Sequence, residues 1–158
     1  MKKVIILIFL FFFFYGNGYC TLPHPAPEKE DENIVEKFRL LDIDKISIKG
    51  KFGENFFGIH EAFEFSNEIT EQEDIKIILD GFSRCLVFSY FHNIKPQGEL
   101  IFYRGGNEIL RMGWFFSPFY RNPTFTFDDT YYNPNNLWVE EVFLKYLPAK
   151  CKDHRERG

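Results

Sequence analysis

Residues 99–116, ELIFYRGGNEILRMGWFF, decide the fold class. Glu99 to Arg104 alternates into Gly105-Gly106-Asn107, and Glu108 to Phe116 leads away again. Glycine and asparagine accept positive φ, so two apolar runs around such a connection predict a β-hairpin. A chain that turns back on itself this way builds an antiparallel sheet.

Upstream, Cys85 to Phe91 is continuously apolar except for Ser89, which suits a buried strand or a packed loop, and Asn93 to Gly98 is a turn. Before it stands a helix predicted over Glu71 to Arg84. Thr70 is placed to cap it, with Glu73 at the capping-box spacing, and Glu71, Glu73 and Asp74 suit the positive end of the helix dipole. Ile75, Ile78, Leu79 and Phe82 recur at helical intervals, while Asp80-Gly81 weakens the last turn. Further back, Asp44 to Lys51 alternates with Ile46 and Ile48 on one side and Lys45, Ser47 and Lys49 on the other, the period of a half-buried strand. A turn at Gly53-Glu54-Asn55 would join it to a second strand over Phe56 to Phe65. Ile34 to Leu41 fits a short helix or a strand entry.

Downstream, Ser117 to Pro123 breaks the pattern and Thr124 to Tyr132 reads as one more strand. Asn133-Pro134-Asn135-Asn136 then opens a helix with Trp138, Val139, Val142, Phe143, Tyr146 and Leu147 along a wide stripe, stopped by Pro148. The expected class is α+β, a mainly antiparallel sheet of about five or six strands with two helices packed on one face.

The ends of the chain have a different character. Lys2 and Lys3 precede an unbroken apolar run, Val4 to Tyr15, followed by Gly16, Asn17 and Gly18, which is the layout of a secretory signal over residues 1–20. The run is too short for a permanent membrane span, which takes roughly 20 residues. Cys20 could carry lipid, but Asn17 and Tyr19 depart from the aliphatic and small residues a lipobox wants. Thr21 to Asn33 is a Pro- and acid-rich linker, residues 34–148 form the single domain, and 149–158 is a polar tail. If Cys20 leaves with the signal, Cys85 and Cys151 remain as a pair in an oxidising compartment, and a disulfide between them is expected.

Composition narrows the function classes. The 158 residues include 21 Phe and 8 Tyr, the reverse of a disordered composition. A net charge of −4 with no Lys/Arg block gives no footprint for nucleic acid. No Cys/His cluster has zinc spacing, so neither a metal nor a cofactor is expected. His60-Glu61-Ala62-Phe63-Glu64 lacks the second His that a zinc protease helix needs, and it alternates like a strand with a solvated polar face. His92 opens a loop beside Phe91, and a Cys85–His92 pair is disfavoured by the apolar setting of the thiol, which raises its pKa.

The stretch Gly113 to Tyr132 concentrates aromatic side chains around Pro and Asn. Trp114, Phe115, Phe116, Phe119, Tyr120 and Arg121 are the expected binding residues, since aromatics and Arg dominate contact hot spots. Glu71, Glu73 and Asp74 are the expected steering acids for a protein partner. The leading expectation is an exported, non-enzymatic binding module, inhibitor- or immunity-like, in the periplasm or outside the cell. The alternatives are a small envelope hydrolase using His60 or His92, and a structural lipoprotein anchored through Cys20, the one reading that brings in the membrane.

Overall fold

The computed structural model describes residues 27–52, 62–88, 95–116 and 122–149. Eight strands form one sheet: β1 (Lys29–Glu32), β2 (Lys45–Phe52), β3 (Phe63–Ile69), β4 (Cys85–Phe88), β5 (Gly98–Arg104), β6 (Asn107–Phe116), β7 (Pro123–Phe127) and β8 (Thr130–Pro134). Three helices complete it: α1 (Ile34–Lys37), α2 (Gln72–Phe82) and α3 (Trp138–Lys145). The strand order is β1-β4-β8-β7-β6-β5-β2-β3, and every pairing is antiparallel. The expected class is therefore correct and the element count is not: the described residues hold eight strands rather than five or six, and three helices rather than two.

Each extra element has a local cause. Thr124 to Tyr132 is two strands, because Asp128 and Asp129 both take positive φ (46° and 58°) and reverse the chain in two residues. Asp reaches that region more readily than most side chains, and such a turn matches strand twist. The end of the acidic linker pairs as well: β1 lies against β4, with Glu28 N–H donating to Val87 C=O at 2.8 Å. Ile34 opens a single helical turn, with the Asn33 side chain accepting from Glu36 N–H at 3.0 Å.

The turn at Gly53-Glu54-Asn55 and the start of the second strand, expected over Phe56 to Phe65, lie outside the described residues; β3 runs Phe63–Ile69, past the expected end, so the chain passes from sheet to helix almost directly. Thr70 makes no cap; Glu71 is the N-cap residue of α2 and its side chain makes no capping hydrogen bond. The hairpin at Gly105-Gly106 forms as predicted, with φ of 56° and 80°.

Period-two alternation sorts the sheet into two faces. Ile46, Ile48 and Phe52 of β2, Leu100 and Phe102 of β5, Leu110, Met112 and Trp114 of β6, Phe125 of β7 and Tyr132 of β8 share one core with Ile34 and Val35 of α1, Ile75, Ile78 and Phe82 of α2, and Val142 and Phe143 of α3. The opposite face is charged near β3 and apolar near β4, where Phe88 and Phe115 form a small second cluster with Leu86 and Tyr131.

Gly81 does not end α2. A Cβ there would stand 2.2 Å from Val139 Cγ2, so the missing side chain is what lets α2 and α3 touch. The two helices run antiparallel, since Asn136 before α3 bonds Asp80 near the end of α2, while Lys145 at the end of α3 meets Asp74 in the first turn of α2.

Candidate functional site

The α2–α3 pair has two ends, each tied by polar contacts. At one end, Asn136 does two jobs: its Oδ1 accepts from Trp138 N–H at 3.0 Å and its Nδ2 donates to Asp80 Oδ2 at 2.9 Å. Asn122, 5% exposed, reaches across from the start of β7; its Oδ1 accepts from Glu140 N–H at 3.2 Å and its Nδ2 donates to Pro134 C=O at 2.7 Å. The free amides of a helix N-terminus need such acceptors, and here two asparagines from outside the helix supply them. Asn135 N–H closes the corner by donating to Arg84 C=O at 2.8 Å.

That braced corner presents Leu137 and Trp138 to solvent, each 61% exposed. Two large apolar side chains in succession on a fixed backbone are costly to leave in water and lose little entropy when covered. The expected helical stripe included Trp138, but Val139, Val142 and Phe143 fill the buried face without it. The signal for this was Asn136, whose Oδ1 takes the Trp138 N–H from just ahead of the N-cap residue Leu137 and so puts 137 and 138 at the rim of the helix.

At the other end, Lys145 Nζ and Tyr146 Oη donate to Asp74 Oδ2 at 2.7 and 2.6 Å, and Asn67 Nδ2 donates to Tyr146 C=O at 2.6 Å. Burial pushes the Asp74 carboxyl up, but the bonds from Lys145 and Tyr146 outweigh it and hold the group below its ordinary 3.8. Asp74 is thus no steering acid: it is 9% exposed and its charge is spent on a helix-to-helix contact. Glu71 and Glu73 are exposed, as steering residues must be.

The sign of the pH effect follows. A carboxyl whose folded pKa is depressed contributes its full stabilisation above its unfolded value and loses it as pH falls through the folded one. Asp74→Asn should cost about 1.5–3 kcal/mol at pH 7, the range for hydrogen bonds to charged groups. The gap between wild type and variant in urea midpoint should narrow at pH 3; an equal gap at both pH values would contradict the assignment.

The aromatic binding residues fall into two sets. Trp114 and Phe115 are fully buried at the end of β6, and Phe116 is half-buried with its ring edge-on to Trp114 and Phe143. They lie on a paired strand rather than a loop, so Trp114 and Phe115 are core residues and not a contact surface. Phe119, Tyr120 and Arg121 lie outside the described residues. The same holds for residues 1–26 with Cys20, for all four histidines, His60 and His92 among them, and for Cys151.

Cys85 is a free, buried thiol rather than half of a disulfide; its Sγ lies 3.7 Å from Gly81 C=O and 3.8 Å from Phe82 C=O. Burial, with a smaller push from the Glu32 charge, raises its pKa far above the ordinary thiol value. A thiol held protonated in this way is no nucleophile. Among the described residues, no group of three His, Cys, Asp or Glu side chains could hold a metal ion.

No family model, no curated protein and no solved structure matches this chain. The functional reading therefore stands on its own side chains.

Proposed function

We propose that the chain is an exported, non-enzymatic module that binds a protein partner, inhibitor- or immunity-like in character, through Leu137 and Trp138. The observation that carries this reading is the exposed Leu–Trp pair on a corner braced by Asn122, Asn136 and the Gly81–Val139 contact. Trp is enriched among hot-spot residues, and a rigid scaffold reduces the entropy lost when the pair is covered. Export rests on the basic start, apolar run and small-residue exit of residues 1–20.

The test is capture of partners from the producing organism's envelope and medium by the full chain and by Trp138→Ala. A hot-spot tryptophan contributes 2 kcal/mol or more, so capture should weaken by about thirtyfold. An exposed site away from the core leaves stability within about 0.5 kcal/mol, so the melting temperature should hold. A partner retained equally by the variant would move the contact elsewhere. No partner at all would remove the reading.

A further inference from the structure

The two edges of the sheet are built differently. β1 closes one edge with four charged residues, a register shift between Lys29 and Glu32, and Asp31 at φ 58°. Those are features that keep an edge from recruiting another strand. β3 closes the other edge with seven consecutive residues paired in register from Phe63↔Phe52 to Ile69↔Ile46, with no bulge and no proline.

The hydrogen-bond parity of β3 follows from β2. Lys51 N–H donates to Gln97 C=O on the β5 side at 3.0 Å. With a period of two, Ser47 and Lys49 also face β5, and the backbone groups of Ile46, Ile48, Gly50 and Phe52 face β3. Phe63, Phe65, Asn67 and Ile69 bond back, so Glu64, Ser66 and Glu68 turn their N–H and C=O groups outward. Among the described residues no strand lies beyond them.

The same three residues place their side chains on the charged face of the sheet, where sign alternates strand by strand. Arg111 of β6 bonds Glu99 of β5 at 2.6 Å, and Lys49 of β2 lies opposite Glu99. Lys45 and Lys51 of β2 bond Glu68 and Glu64 of β3 at 2.9 and 2.7 Å. The β3 carboxylates still keep 57% and 68% of their side chains in solvent. The next strand in this series is positive. A second copy of the chain does not fit: aligned antiparallel with itself about Ser66, β3 sets Glu64 opposite the second copy's Glu68, and like charges directly opposite destabilise.

We infer that the β3 edge is a docking site for an extended basic segment of a partner protein, which adds as a ninth strand with Lys or Arg facing Glu64 and Glu68 and apolar side chains on the alternate positions beside Phe63 and Phe65. Main-chain bonds would supply affinity and the alternating side chains would supply selectivity, as in other strand-addition complexes.

The probes are two labelled heptapeptides with blocked ends, one alternating lysine with valine and the other glutamate with valine, titrated into the full chain by fluorescence anisotropy. The lysine peptide should bind at least tenfold tighter, and Glu64→Lys with Glu68→Lys should reverse the order. Ser66→Pro deletes an outward N–H at an edge position where proline is tolerated. It should keep the melting temperature and weaken the lysine peptide at least tenfold. Because it leaves net charge untouched, unchanged binding in Ser66→Pro would reduce the effect to general attraction and overturn the inference. So would equal binding of both peptides, or none up to 1 mM. Trp138→Ala should leave peptide binding as it is, so this site and the Leu137–Trp138 contact stand or fall separately.

Discussion

Gly98→Ala should lower the stability of the domain by about 3 kcal/mol or more, the upper range of overpacking. Gly98 sits where β5 passes between β2 and β6, paired with Gly50 on one side and Trp114 on the other. A Cβ built there stands 1.9 Å from Lys49 O, 2.8 Å from Gly50 Cα and 2.7 Å from Trp114 Nε1. Two of the three are backbone atoms of a paired strand, which cannot swing aside as a side-chain tip can. The third is the donor of a 2.9 Å bond from Trp114 to Lys49 C=O, so retreat of the indole would cost that bond as well. With marginal total stability of about 5–15 kcal/mol, such a loss should show as a fall of roughly 10 °C in melting temperature. Gly105→Ala is the control: its φ of 56° is strained for alanine, yet no atom lies within 4 Å of the added Cβ. That left-handed strain alone costs about 1–2 kcal/mol. Equal melting temperatures for the two variants would show that β2 and β5 are not packed this closely.

Gly98 also marks how far the sequence can be read. The Gly105-Gly106 hairpin was legible because turn chemistry is local: the residues that bend are the residues that need positive φ. Asp128-Asp129 obeys the same physics but lacks glycine, so two strands read as one. The β2 alternation fixed its buried face, and the class followed from antiparallel connections. What could not be read was contact between distant segments. The need for glycine at 98 arises from Lys49, and the need at 81 arises from Val139. Asn122 looked like part of an aromatic loop, and its role as an acceptor at the start of α3 depends on Glu140, eighteen residues later.

The candidate site shows the same division. Aromatic richness in β6 looked like a surface because sequence alone does not show which rings meet. Trp114 and Phe116 point into the core because Leu110 and Met112 fix the inward phase of β6. Trp138 looked like core because it adjoins Val139. The acid at 74 lost its steering role to Lys145, a partner seventy-one residues away. Exposure is a property of tertiary packing, and composition carries only the supply of side chains.

The contrast between the two tryptophans gives the second large effect. Trp114→Ala should cost about 3–5 kcal/mol, the range for a large ring deleted from a core. The indole is fully buried, edge-on to Phe143 at 4.9 Å and to Phe116 at 5.9 Å, and tilted against Phe52 and Phe65 at 6.2 and 6.4 Å. Its removal would empty the point where β2, β3, β6 and α3 meet, and would leave Lys49 C=O without its indole donor. Trp114→Phe restores much of the ring volume but not that bond, so its loss should be smaller, about 1–3 kcal/mol. The chain holds only two tryptophans, which makes the assignment checkable by light. The Trp138→Ala protein keeps only the buried indole, and its emission should be blue-shifted and resist acrylamide. The Trp114→Phe protein keeps only Trp138, and its emission should be red and readily quenched while folded. If instead Trp114 were quenched and Trp138 protected, the contact surface would belong at the end of β6 and the corner at α3 would be core.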